Sequence, residues 1–364
     1  MQHQAKSPGA SLIASQSALD ELTGALRGAE RLAIDTEADS LHCYFEKLCL
    51  IQLSVPALDA LVDPLAGVSL EPLFALLATK PLVFHGADYD LRMLRRAGNF
   101  QVRQIFDTMI AARLTGLTEF NLAALVQEYF GVALPKGSQK ANWAKRPLSA
   151  HMIEYALNDT RYLLALAERL ETQLRTLGRL EWFRQSCEKV VLTSSVTRER
   201  DLETAWRIAG SNALRGRASA VLRELWNWRE AEAKAADRPP FHILRNEDLV
   251  EATRKLVTGS KPHFSHVSGS RWRRFLEAAD RALAMPPEQW PTAPRRSGSR
   301  PSPEAEARFQ ELKRKRDIVA SELRLDPALI APKATLEALA ADAGAAEERL
   351  LPWQRELLLA SPAA

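Results

Sequence analysis

Four carboxylates and one phenol stand out for what they could do together. Asp35 and Glu37 lie in RLAIDTEAD, Asp90 in VFHGADYDL, and Asp159 in MIEYALNDTRYL, four residues after Tyr155. In a strand, a spacing of two puts Asp35 and Glu37 on one face. In a helix, a spacing of four stacks Tyr155 and Asp159 on one face. Asp90 falls near the start of a different helix. Three separate elements can therefore bring oxygens to one pocket. Carboxylates gathered in this way repel one another unless cations neutralise them. Hard divalent ions such as Mg²⁺ or Mn²⁺ take oxygen ligands of this kind. Two such ions, roughly 3.5–4 Å apart, activate a water and stabilise the leaving oxygen of a phosphoryl displacement. The chain has no GxxxxGK[ST] loop, which argues against nucleoside triphosphate hydrolysis. Taken singly, each residue has a plainer use: a turn at a strand end for Asp35, surface charge for Glu37, a helix N-terminal charge for Asp90, a core aromatic for Tyr155, a solvated helix position for Asp159. Their order and spacing are what join them.

Periodicity predicts the elements that must position these groups. A helix is expected over 17–27, capped by Ser17. A strand over 31–35 ends at Asp35. KLCLIQLSV, residues 47–55, alternates Cys49, Ile51 and Leu53 against Gln52 and Ser54 and predicts a stronger strand. Further strands are expected over 59–62 and 81–85. Helices are expected over 69–78, 87–96, 108–114 and 122–129, followed by one long helix over 149–177. Strands first, then strands alternating with helices, imply a three-layer α/β domain with a mixed sheet. From about residue 198 the strand signal disappears. Helical patterns cover 202–236, 246–257 and 270–283, with Trp206, Trp226 and Trp228 read as packing residues. Residues 286–303, rich in Pro, Arg and Ser, read as a linker, and 304–363 as a second helical unit.

The bulk properties bound the partners. The chain has 364 residues, enough for two or three domains, and 46% are hydrophobic and 26% charged, as in a globular protein. The formal charge is +4, and the basic excess is local: Arg207, Arg215, Arg217 and Arg223, then Arg271, Arg273 and Arg274, then Lys313 to Arg316. Such clusters suit a polyanion, although solubility alone explains them equally well. Cys43, Cys49 and Cys187 form no CxxC and imply neither a disulfide framework nor a structural zinc. The first residues lack the apolar core of a signal peptide, and no apolar run is of membrane-spanning length. A cytoplasmic protein with no membrane partner is the expectation.

The three segments around Asp35-Thr36-Glu37, His85 to Asp90, and Tyr155 with Asp159 resemble the motifs of the DEDD exonuclease superfamily, in its tyrosine-containing branch and, within it, the ribonuclease D group. FDTMIAARLTG at 106–116 and LAALVQEYFGVALPKGSQKANWAKRPLS at 122–149 are similar to the family's intervening stretches. WRIAGSNALRGRASAVLRELWNWREAEAKAADRPP resembles the helical HRDC domain, and LKRKRDIVASELRLDPALIAPKATLEALA a divergent second copy.

The resemblance implies a ribonuclease H-like exonuclease domain over 11–177, a connecting segment over 178–200, a first HRDC-like domain over 201–285 and a second over 304–364. It implies a 3′→5′ exoribonuclease with two divalent cations, Mg²⁺ or Mn²⁺, trimming RNA with a free 3′ end such as tRNA precursors. Asp35, Glu37, Asp90 and Asp159 would be the metal ligands, with Asp35 shared by both ions, and Tyr155 would orient the attacking water. Read from the residues themselves, His42, Tyr44 and Phe45 would wall the terminal nucleotide or else form an ordinary hairpin connection, His85 would orient phosphate or else cap a core strand, and Gln139, Lys140, Trp143 and Lys145 would sit near substrate. Two alternatives remain: a 3′→5′ DNA exonuclease in repair, acting on single-stranded DNA, or an inactive RNA-binding scaffold, which would show itself by loss of an acidic ligand.

Overall fold

The computed structural model describes residues 11–135, 137–196, 201–267, 269–292 and 302–359. The chain divides into two compact units. One gathers residues 1–38, 47–196 and 298–364, and the other residues 39–46 and 197–297.

The first unit is built on a six-stranded mixed sheet in the order β1-β4-β3-β2-β5-β6. Its strands are β1 (Ser11–Ile13), β2 (Leu32–Ala38), β3 (Leu48–Val55), β4 (Leu58–Val62), β5 (Leu82–Phe84) and β6 (Ile105–Asp107). β2, β3 and β4 pair antiparallel, whereas β1 joins β4, β5 joins β2 and β6 joins β5 in parallel. The helices are α1 (Gln16–Leu26), α2 (Glu71–Leu77), α3 (Asp88–Ala97), α4 (Thr108–Thr115), α5 (Leu122–Phe130), α6 (Ala150–Arg161), α7 (Leu163–Thr176) and α8 (Leu180–Ser195). Alternation along β2 divides the core. Leu32 and Ile34 join a cluster with Leu19 and Leu22 of α1 and Leu91 and Leu94 of α3. Ala33 packs instead with Leu163 and Ala167 of α7. Leu50 and Leu61 pack with Ala156 and Leu157 of α6.

The three-layer mixed-sheet expectation holds, and several local readings need correction. Ser15, not Ser17, caps α1, its hydroxyl accepting from Ala18 N. β1 (SLI) and β6 (IFD) were not foreseen, because each offers only two apolar residues, whereas the equally short β5 (LVF) is apolar throughout. The helix expected over 149–177 is two helices that part at Tyr162. The connecting segment expected over 178–200 is largely α8, and its residues 197–200 lie outside the described residues.

The second unit is helical: α9 (Leu202–Ala205), α10 (Arg217–Ala235), α11 (Pro240–Ile243), α12 (Asn246–Val257) and α13 (Gly269–Leu283). Trp206, Trp226 and Trp228 are buried in its core with Leu222, Leu249 and Phe275. Residues 39–46 belong to this unit. The Tyr44 and Phe45 amides donate to Asp237 Oδ1 at 2.9 and 3.1 Å, and the Tyr44 hydroxyl donates to Glu230 at 3.3 Å. Several arginines flagged as polyanion contacts serve the fold itself. Arg271 and Arg274 pair with Glu232. Arg207, Arg217 and Arg223 donate to the carbonyls of Thr292, Leu283 and Gln289.

The helices α14 (Pro303–Leu323), α15 (Pro327–Ile330), α16 (Lys333–Ala341), α17 (Ala346–Arg349) and α18 (Pro352–Leu359) return to the first unit. Ile330, Leu336, Trp353 and Leu358 share the hydrophobic cluster of the sheet. Trp353 stacks on Trp182 of α8 with ring centroids 5.0 Å apart. Arg179 donates to the carbonyls of both Leu114 and Leu323, at 2.7 and 2.8 Å. Gly116, with φ +93°, lets the Arg324 carbonyl approach so closely that a Cβ there would lie 2.7 Å from its oxygen. Of the expected linker over 286–303, residues 293–301 lie outside the described residues. Among the described residues no helix is long and apolar enough to cross a membrane.

Candidate active site

β2 places Asp35 and Glu37 on one face, across from Gln52 and Leu50 of β3. The pairing register shifts between Glu37 and Ala38, so Glu37 stands where the ladder loosens. α6 starts at Ser149, whose hydroxyl accepts from Met152 N, and it runs over the same face. Thr160 of α6 and Ser54 of β3 are linked through their hydroxyls at 2.7 Å. This brings Asp159 over β2, where Asp35, Glu37 and Asp159 each present an oxygen within 4.8 Å of the others. Asp90 comes from α3, is almost fully buried, and accepts the Thr36 hydroxyl at 2.6 Å.

The start of α3 is fixed by Asp107. Its carboxylate accepts from Gly86 N and Ala87 N at 3.1 and 2.8 Å and caps α4 through Met109 N and Ile110 N. Gly86 has φ +85°, a conformation that favours glycine, and a Cβ there would press on Met109.

Burial leads the electrostatics of the four acids, and crowding of like charges adds to it. Burial, then Asp159, raises the Asp35 carboxyl well above the usual range. Burial, then Asp35, does the same to Asp90 against the Thr36 hydrogen bond. Glu37 is pushed up to about 10 by burial and then by Asp35, Asp159 and Asp90. Asp159 is raised to about 7 by burial and Asp90. No lysine or arginine figures among the neighbours that shift these four groups. An all-oxygen donor set of this kind suits a hard divalent cation, which would supply compensating charge.

Tyr155 stands one helical turn before Asp159. Burial, then Asp159, Glu37 and Asp35, raises its phenol above the ordinary tyrosine range, and a hydrogen bond with the Gln139 side chain opposes the rise. The phenol therefore keeps its proton. Trp143, expected along the substrate path, is buried, and its ring centroid lies 6.1 Å from that of Tyr155. It supports Tyr155 and offers no face to a base. Gln139, Lys140 and Lys145 are exposed on the same loop. Arg146 anchors that loop, bidentate to Asp63 at 2.6 and 2.7 Å and donating to the Cys49 carbonyl.

His85 serves the fold locally. The Thr108 hydroxyl donates to the Phe84 carbonyl and so accepts from His85 Nδ1, both at 2.9 Å. Burial holds the imidazole below its ordinary range, with Asp107 opposing, so the ring is neutral and Nε2 is the free acceptor. His42, Tyr44 and Phe45 lie in the second unit, where the Tyr44 ring packs against the helical core and Phe45 is exposed.

Sequence reasoning missed Thr36, Asp107 and Gln52. Gln52 is fully buried, and among the described residues neither amide atom has a hydrogen-bond partner. The only signal was a lone amide in an otherwise apolar strand.

Residues 11–175 match a family model described as 3′-5′ exonuclease, and residues 218–260 one described as HRDC domain. A ribonuclease D from Haemophilus influenzae is 31% identical over 340 residues, covering 90% of this chain and 84% of that protein. One from Sphingobium indicum is 31% identical over 245 residues, covering 66% of this chain, and the match spans 63% of that relative's length, just under two thirds. The crystal structure of Escherichia coli RNase D, an exoribonuclease involved in structured RNA processing, is similar with a TM-score of 0.69 and 26% identity. That likeness covers 91% of this chain and 90% of the other.

Proposed function

Since the chain belongs to the ribonuclease D family, we propose that it is a metal-dependent 3′→5′ exoribonuclease that releases 5′-mononucleotides from RNA with a free 3′ end. The observation that carries this reading is the convergence of Asp35, Glu37 and Asp159, with the buried Asp90 tied to Thr36 of the same strand. Asp35, Glu37, Asp90 and Asp159 would hold two divalent ions, Mg²⁺ or Mn²⁺. Such ions supply positive charge at the reacting phosphate and lower the pKa of an attacking water.

The chain's own residues do the rest. Asp35, central on β2, would be the ligand shared by the two ions, with Glu37, Asp90 and Asp159 as the other ligands. Thr36 holds one Asp90 oxygen, and the other would be the one to ligate. Tyr155 keeps its proton on Oη and orients the attacking water by hydrogen bonding; it is not a base. Lys140 and Lys145, exposed on the loop that Arg146 anchors, suit phosphate contacts. A structured RNA such as a tRNA precursor is the substrate class this reading favours, supported by the structured-RNA role of the E. coli relative.

The test compares 5′-labelled tRNA-like RNA with a 3′ tail, single-stranded RNA and single-stranded DNA, in Mg²⁺, Mn²⁺ or EDTA, beside an Asp35→Asn variant. Metal-dependent shortening of RNA from the 3′ end, lost in the variant, is expected. Preferential shortening of DNA would replace the RNA reading with the repair one. Binding without shortening in either metal would leave a scaffold.

A further inference from the structure

Gln52 stands in the middle of β3, fully buried, and both of its amide atoms lack a partner among the described residues. A buried amide left unpaired is costly, and native chains rarely keep one without a use. Leucine or methionine would fill the same volume at no such cost. The surroundings indicate which partner is meant. Gln52 lies in a row across the sheet, with Leu61 of β4 on one side and Asp35 of β2 on the other. Residues paired across antiparallel strands share a face, with Cβ atoms about 4.5–5.5 Å apart.

Along β3 on this same face, Leu50 packs under Ala156 and Leu157 and Ser54 is bonded to Thr160. α6 is therefore the roof over Gln52. The hydroxyls nearby are already committed: Ser54 donates to Asp59 Oδ1 at 2.7 Å and so accepts from Thr160. Leu61 offers no polar atom. On this face the cross-strand partner of Gln52 is Asp35, and Asp159 lies one residue before Thr160 on α6.

We propose that Gln52 is a positioning residue of the metal centre, its Nε2 donating to the outward oxygens of Asp35 and Asp159 when those carboxylates turn to bound ions. This rests on the metal-dependent reading above. Outer partners of this kind fix the orientation of ligating side chains, and their loss weakens metal binding by about 10–100-fold.

The experiment titrates wild type, Gln52→Met, Gln52→Leu and Asp35→Asn with Mn²⁺ by calorimetry and records the thermal midpoint of each in EDTA. The expected result is Mn²⁺ binding about tenfold or more weaker in both Gln52 variants, with metal-free midpoints equal to or above wild type. Mn²⁺ affinity equal to wild type in either folded variant overturns the proposal. A fall in metal-free midpoint in both variants assigns Gln52 to packing and also overturns it. Absence of any wild-type Mn²⁺ binding that Asp35→Asn removes would sink the metal reading itself, and this proposal with it.

Discussion

At the scale of single residues, the site is a set of acids held in a proton-rich state by burial first and then by one another. Glu37, pushed up to about 10, and Asp159, raised to about 7, both lie above the ordinary carboxylate range. The folded chain without metal therefore keeps protons that the unfolded chain releases, and stability falls as pH rises. The fall begins above the unfolded carboxylate range near pH 4 and continues through about 7 for Asp159 and about 10 for Glu37. In EDTA the thermal midpoint should drop between pH 5 and 9. Saturating Mn²⁺ should remove most of that drop, and a flat metal-free profile would show that the acids are not so crowded.

Tyr155→Phe should lower kcat by roughly 10²-fold, the scale of one lost oriented hydrogen bond in an active site. The KM for RNA and the shape of the pH–rate profile should stay, because the phenol does not titrate in the working range. Steady-state kinetics across pH decide this. The four acids and Tyr155 were legible in sequence because few chemistries need those residue types at those spacings. Gln52 and Thr36 were not, because their meaning depends on cross-strand register and on which helix meets the strand end.

At the scale of elements, the decisive device is the Asp107 clamp. One carboxylate holds the β5–α3 turn and caps α4, so the helix that carries Asp90 is fixed by a residue of another strand. Asp107→Ala leaves amides of both elements unpaired and should cost roughly 2–4 kcal/mol, with weaker Mn²⁺ binding because Asp90 loses its register. Chemical denaturation and metal titration read the two effects, and Asp107→Asn should retain part of each. The main strands and helices were legible from alternation and capping residues. β1 and β6, with two apolar residues each, carried too little pattern. The break at Tyr162 was hidden because the sequence on either side of it is uniformly helix-forming.

At the scale of the whole molecule, the last helices are part of the nuclease unit's core. Trp353 is buried against Trp182, and Arg179 ties α4 to the end of α14. Trp353→Ala should cost about 3–5 kcal/mol, and the loss should appear in the unfolding of the exonuclease unit itself. A midpoint for that unit unchanged by the substitution would show that the helices are mere passengers. This was not legible in sequence, because an amphipathic helix does not say which apolar face it will meet.

That arrangement has a consequence for how the protein is made. β2, the strand bearing Asp35 and Glu37, is synthesised well before the helices past residue 303 whose side chains share its hydrophobic cluster. At about 5–20 residues per second, the intervening segment takes on the order of ten seconds to synthesise. Throughout that interval the nascent unit lacks Ile330, Leu336 and Trp353 from its core, so its fold is completed only when α14 to α18 have emerged.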